Sequence, residues 1–250
     1  MNRDKYSFVA HRDLPIMNPI GGAAVDHLID LAALPRGGRV LDIGAGWCEL
    51  ARRLVERYGV SADCVERSAL LCEGARERAK TRAPGGRLRI HQEDAAAFAA
   101  TLPPGAYDMT ICTGSTHALG GLDATAASLA ALTRAGGLVL VGEGYWRTPP
   151  SDAYLRESGI GRDEFGSFAG AFDRISAAGL RPVFATGASE QDWDRYEWSH
   201  ARAIEEYCES HPGDPDAPAM LERSRAWRRA YVRGGREHLG FAVLLCRRVS

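Results

Sequence analysis

The stretch Val40-Leu41-Asp42-Ile43-Gly44-Ala45-Gly46-Trp47-Cys48 decides how this chain folds. Three apolar positions with a β-branched bias, Val40, Leu41 and Ile43, read as a buried strand, and Gly44 and Gly46 break it just before a helical pattern opens. In that pattern Leu50, Leu54, Val55 and Tyr58 fall on one face at the 3.6-residue period. The segment is therefore a strand, a glycine turn and a helix N-terminus. Glycine suits such a turn because a Cβ would hold a ligand off the backbone and because a tight turn calls for positive φ. The first N–H groups of the helix point at whatever lies over the glycines, and the helix dipole favours an anionic group there.

What the motif lacks narrows the ligand. A dinucleotide fingerprint would place glycine at position 49, where the chain has Glu49, and the Gly-Lys-Ser/Thr ending of a Walker loop is missing. Asp42, two residues before Gly44, instead completes a D-x-G-x-G pattern. On these residues the stretch resembles motif I of the class I S-adenosylmethionine-dependent methyltransferases, with Cys48 standing where a third glycine often occurs. The resemblance assigns Asp42, Gly44, Ala45 and Gly46 to cofactor binding, the two glycines cradling the methionine end with its carboxylate and ammonium.

Working outward, Val60 to Glu66 reads as strand two. It ends in an acid about twenty residues past Gly46, the reach from the first turn to the end of the neighbouring parallel strand, where a carboxylate can accept both hydrogen bonds of a ribose diol. Arg67 adjoins it in the expected cofactor set. Ser68 is placed to cap a helix running to about Arg82 and stopping at Pro84-Gly85-Gly86. Strand three is Leu88 to His91. In the resembled family the acid after it, here Asp94, bonds the adenine amino group and apolar neighbours such as Ala95 flank the ring; Asp94 equally suits an N-cap. Strand four, Tyr107 to Cys112, runs into Thr113-Gly114-Ser115-Thr116-His117. In open α/β sheets the carboxyl ends of strands one and four flank the crevice where strand order reverses, so Thr113 and this loop should face the sulfonium.

The same loop excludes subclasses. It lacks the Pro-Pro-aromatic tetrad of enzymes that methylate base amines, and no acid follows strand four to bind a catalytic metal, so no metal site is expected. His117 is the candidate for chemistry. Its unperturbed pKa suits a general base at neutral pH, and it can equally order its own loop.

The termini carry the remaining candidates. Residues 1 to 21 hold Tyr6, Phe8, His11 and Asn18, with Pro15 and Pro19 set against regular helix. The resemblance implies that this arm folds over the cofactor and walls the substrate pocket, with His11 and Asn18 as pocket residues. An amphipathic helix follows, with Val25, Leu28, Ile29 and Ala32 on one face. A helix from about Asp123 to Thr133 is expected to end at Gly136-Gly137, before strand five, Leu138 to Gly142. Tyr145 and Trp146 beyond it are candidates for a catalytic hydroxyl and a pocket wall. Ser167 precedes a helix closed by Gly179, and strand six is Arg181 to Thr186. Residues 190 to 237 form two helical segments broken at 211–216, the first carrying Tyr196 as a pocket candidate. The second carries Arg223, Arg225, Arg228, Arg229, Arg233 and Arg236, either a solvated face or an anion site. In the final strand, Leu239 to Arg247, Phe241, Val243 and Leu245 alternate; the resemblance makes it antiparallel beside strand six.

The chain has 250 residues, 45% hydrophobic, enough for one core. Its net charge of −1 gives no field toward nucleic acid or an anionic membrane. Six scattered cysteines make no metal spacing, no apolar leader opens the chain, and no run reaches a membrane span, so a cytoplasmic protein is expected. The alternation of units predicts an α/β three-layer sandwich. By resemblance its sheet is Rossmann-like, seven-stranded and mostly parallel with an antiparallel last strand. The expected parts are an N-terminal arm and helix (1–37), a cofactor-binding core (38–189), a helical lid (190–237) and the last core strand (238–250). The loop G-S-T-H-A-x-G-G and the Asn18-Pro19 pair look like small-molecule methyltransferases related to the ubiquinone/menaquinone type. Methyl transfer to a small metabolite by a monomer or homodimer is therefore expected, against a macromolecular methyltransferase or a cofactor-binding module without turnover.

Overall fold

The computed structural model describes residues 1–82 and 86–249. Seven strands form one sheet: β1 (Arg39–Ile43), β2 (Ser61–Glu66), β3 (Leu88–Gln92), β4 (Tyr107–Thr113), β5 (Thr133–Trp146), β6 (Leu180–Gly187) and β7 (Leu239–Arg248). Their order is β3-β2-β1-β4-β5-β7-β6, with β7 antiparallel to both neighbours and the other pairs parallel. The expected Rossmann-like sandwich is thus present, and strand order reverses between β1 and β4.

Period-two alternation sends side chains to two faces. Val40, Cys64, Met109 and Leu140 meet α2 (Gly22–Ala32), α3 (Glu49–Tyr58) and α4 (Ala69–Arg82) through Leu28, Leu54 and Ala75. Leu41, Val65, Cys112 and Val141 meet α5 (Ala95–Ala100) and α6 (Leu122–Leu132) through Phe98 and Leu129. All six cysteines are buried and unpaired. The predicted stop of α4 at Pro84-Gly85 lies outside the described residues.

Two sequence expectations are corrected. The first twenty-one residues are not free of helix: α1 spans Arg3–Ala10, capped by the Asn2 side chain, which accepts from Lys5 N–H, and both prolines lie beyond it. The helix before β5 does not turn at Gly136-Gly137. It ends at Thr133, whose hydroxyl donates to Leu129 O at 2.7 Å and bonds Thr110 Oγ1, and the chain is at once extended. Thr133 pairs with Tyr107 and the register then shifts, so the glycines sit in a bulge within β5 rather than ahead of it. At its other end β5 runs past Gly142, pairing Tyr145 with Gly240 and Trp146 with Leu239.

After α7 (Asp152–Ser158) and α8 (Phe168–Ala177), which Ser167 caps, two helices cross the carboxyl ends of the strands: α9 (Glu190–Ser210) and α10 (Ala217–Ala230). Tyr6, Val9 and Ala10 of α1 pack on Ile204, Cys208 and Met220 of this pair. Full burial of such side chains stabilises by about 1.5–3 kcal/mol each, which fastens the N-terminus to the helices 200 residues later in the chain. The arginine run is mostly tied down. Arg225 and Arg228 pair with Glu205, Arg233 with Glu157, and Arg236 with Asp194 and Glu190.

Candidate active site

The glycine turn after β1 is held from below and from the side. Gly44 and Ala45 donate their N–H groups to Val65 O at 2.9 and 3.1 Å. Glu66 accepts from Gly46 N–H at 3.1 Å with one carboxylate oxygen and from Ser68 N–H at 2.9 Å with the other. Gly44 has φ +64°, and a Cβ there would lie 2.2 Å from Ser115 Oγ; at Gly46, with φ +51°, it would lie 2.5 Å from Met17 Sδ. Cys48, in the place of a third glycine, has φ +57° and is fully buried, so the left-handed backbone is kept without the glycine.

A cavity of about 490 Å³ lies over this turn. Asp42, Gly44, Ala45, Gly46, Glu66 and Arg67 line it from the β1–β2 side. Asp94 and Ala95 close one end and Thr113 the other. Asp94 already caps α5, accepting from Ala97 N–H at 3.0 Å. Burial first, then the charge of Glu66, raises the Asp42 carboxyl to about 7, while the N–H of Ala51 pulls it the other way. The site therefore carries acids but no counter-charge of its own next to Asp42.

A second cavity of about 850 Å³ adjoins the first. Its walls come from α1 (Tyr6), β5 (Glu143), α7 (Ser158), α9 (Glu197) and α10 (Trp227). Met17, Asn18, Gly114, His117 and Tyr196 line both cavities, so these residues stand at the passage between them. His11 Nδ1 lies 2.8 Å from Ser7 O, which can only accept, so Nδ1 carries the proton and Nε2 accepts from the Tyr196 hydroxyl at 2.9 Å. Burial lowers the His11 pKa and keeps this ring neutral. His117, in a 3-10 turn over Thr116–Leu119, is exposed and its imidazole makes no hydrogen bond among the described residues.

Residues 40–137 match the family described as a methyltransferase domain. A methyltransferase from Geobacter sulfurreducens, crystallised with S-adenosylhomocysteine, is 25% identical, superposes with a TM-score of 0.88 and covers 97% of each chain. The chain is a class I S-adenosylmethionine-dependent methyltransferase. An uncharacterized Escherichia coli protein, YjhP, is 27% identical over 209 residues, 83% of each chain. A Thiobacillus denitrificans methyltransferase, also solved with S-adenosylhomocysteine, shares the fold at 24% identity and TM-score 0.87, covering 98% of each chain.

Two candidates of the methyltransferase lie elsewhere. Trp146 is sealed among Tyr154 and Phe165, its Nε1 donating to Arg162 O at 2.8 Å, and it lines neither cavity. Tyr145 lies over Gly240, where a Cβ would come within 2.4 Å of its ring, and against Phe168. Continued pairing of β5 with β7 leaves Trp146 in the core and Tyr145 half-buried against Phe168, so neither lines a cavity. The β5 side chain at the cavity is Glu143, which accepts from Thr116 Oγ1 and from its neighbour Gly144 N–H at 2.8 Å. On α9, Trp193, Tyr196, Glu197 and His200 line the larger cavity. Their i, i+3, i+4, i+7 spacing puts them on one face of the helix, yet of the four only Tyr196 was a site candidate from the sequence. Among the described residues no three His, Cys, Asp or Glu side chains converge as metal ligands, and no helix is long and apolar enough to cross a membrane.

Proposed function

We propose that this methyltransferase moves a methyl group from S-adenosylmethionine to a small-molecule acceptor held in the larger cavity. The observation that carries the reading is the passage at Met17, Asn18, Gly114, His117 and Tyr196, where the cavity over the glycine turn opens into the larger one. In-line displacement needs donor and acceptor atoms about 3–3.5 Å apart and aligned, which two sites meeting at one passage can supply. The residues fit the cofactor. Gly44 and Gly46 line the cavity with bare backbone, a Cβ on either being shut out by Ser115 or Met17, Glu66 keeps free lone pairs for a ribose diol, and Asp94 with Ala95 stands where adenine would lie. The bound cofactor supplies an electrophilic methyl carbon on a sulfonium.

His117 and Tyr196 stand at the passage: His117, whose imidazole makes no hydrogen bond among the described residues, can orient an acceptor or take its proton, whereas Tyr196, whose hydroxyl already donates to His11, can only orient it. Residues 1–37 and 190–237 act as arm and lid over the core of 38–189, closed by the last strand at 238–250. Walls on all of these elements favour a metabolite over a macromolecule, in keeping with the likeness of the Gly114–Gly121 loop to enzymes of the ubiquinone/menaquinone type.

The test is incubation with methyl-labelled S-adenosylmethionine and a size-filtered metabolite extract, followed by mass spectrometry. A labelled small molecule that is lost with Gly44→Ala is expected. Label found only in the high-mass fraction would overturn the small-molecule reading.

A further inference from the structure

Glu197 is the most deeply placed carboxylate of the larger cavity, 8% exposed, and one oxygen accepts from Trp227 Nε1 at 2.7 Å. No other donor reaches it among the described residues, and no lysine, arginine or histidine forms an ion pair with it or with Glu143. The tyrosines and the histidine around it supply no positive charge. Tyr6, Tyr154, Tyr196 and Tyr231 feel its field, and burial holds the hydroxyls of all four in the neutral form. His200, one turn along α9, is pushed down to about 3 by burial and is neutral.

The cavity has two guanidiniums, and neither forms an ion pair with Glu197, although the charge of Arg223 reaches His200 on the same helix. Arg174 is held bidentate by Asp123 at 2.7 and 3.0 Å, and Arg223 lies over the ring of Tyr6 at 5.4 Å. A buried carboxylate without a cation is costly, and a ligand can remove that cost by bringing one. The rings of Trp193, Tyr196 and Trp227 beside it add faces that attract a cation.

We propose that the acceptor is a primary or secondary amine that enters as its ammonium, is anchored by Glu197, and gives its proton to that carboxylate. This rests on the small-molecule reading above. The proton passes from nitrogen to the free Glu197 oxygen. The lone pair so released forms the N–C bond to the methyl carbon while the C–S bond breaks, its electron pair remaining on sulfur. The products are the methylated ammonium and S-adenosylhomocysteine, and Glu197 returns its proton to solvent. Burial raises the Glu197 carboxyl to about 7, against the pull of the Trp227 N–H, which suits a group that must hold a proton in one step and shed it in the next.

The metabolite extract is separated at pH 7 on a strong cation exchanger, and retained and unretained fractions are each incubated with methyl-labelled S-adenosylmethionine. Label is expected in the retained fraction, on a product that is itself retained. Glu197→Gln should lower kcat/KM on that fraction by about 100-fold, recovering as pH approaches the amine's own pKa, with S-adenosylhomocysteine affinity by calorimetry unchanged within about twofold. Label confined to the unretained fraction overturns the amine assignment and leaves the small-molecule reading standing, whatever the variant does. A Glu197→Gln enzyme that binds S-adenosylhomocysteine normally and turns over the retained fraction at the wild-type rate overturns the role of Glu197. Label in neither fraction overturns the small-molecule reading, and this inference with it.

Discussion

Asp42 and Glu66 face one cavity as two acids with opposite tasks. Glu66 is bonded to two backbone N–H groups and braces the turn, whereas Asp42 is buried and raised to about 7. A raised acid binds its proton more tightly folded than unfolded. Its contribution to stability is therefore complete below the unfolded value near 4 and is lost as pH rises toward 7. Ligand binding has the reverse sign, because an ammonium brought beside Asp42 favours the carboxylate. S-adenosylhomocysteine affinity should fall by up to about tenfold per pH unit below 7, and calorimetry on Asp42→Asn should show that dependence removed. Glu66→Ala should weaken the same ligand by about 1.5–3 kcal/mol for each charge-assisted bond lost; unchanged affinity would sink the ribose assignment. Both positions were legible because strand, turn and next-strand end are fixed in number by the parallel sheet. Glu197 was not, since burial of an acid under a lid depends on what α10 and α1 place around it.

At the scale of elements, α9 carries much of the larger cavity and is held at its start by a reciprocal cap. Ser189 Oγ accepts from Asp192 N–H at 3.1 Å, and Asp192 in turn accepts from Ser189 N–H at 3.1 Å. Ser189→Ala should cost about 1 kcal/mol, read as a lower urea midpoint with an unchanged slope. The turn after β1 is less forgiving. Gly44→Ala forces a side chain into left-handed backbone and against Ser115, whose hydroxyl donates to Ile43 O at 3.1 Å, so a loss of about 2–4 kcal/mol is expected in the same measurement. The helices and strands of the core were readable from period, whereas α1 was not, because Pro15 and Pro19 set the whole arm against helix. The bulge in β5 was not, because Gly136-Gly137 signals a turn and a bulge in the same letters, and the real end of α6 is set by Thr133 bonding across to Thr110. Extending β5 by its pairing with β7 is also what carried Tyr145 and Trp146 out of the pocket.

At the scale of the molecule, the layered sandwich followed from the alternation of units and the antiparallel last strand from the resemblance, while the closure over the sheet came from contacts that no local period reports. The seam of Tyr6, Val9 and Ala10 with Ile204 and Met220 joins α1 to α9 and α10. Beneath it the arm reaches the cofactor cavity. His11 O accepts from Trp47 Nε1 at 3.1 Å, and Met17 lies against Gly46. Ligand that binds only the folded state adds about 2.7 kcal/mol at 100 times its Kd. For a chain of this size that raises Tm by about 5–10 °C. Wild-type protein with S-adenosylhomocysteine at that concentration should show this shift in a thermal melt. Removing residues 1–13 takes away the seam, His11 and the brace on Trp47 while leaving the glycine turn and Glu66 in place. A tenfold weaker Kd then subtracts about 1.4 kcal/mol at the same ligand concentration, so the shift should fall to about half. A truncated protein with the full shift would mean that the arm serves only the acceptor side of the passage, and its defect would then be confined to turnover.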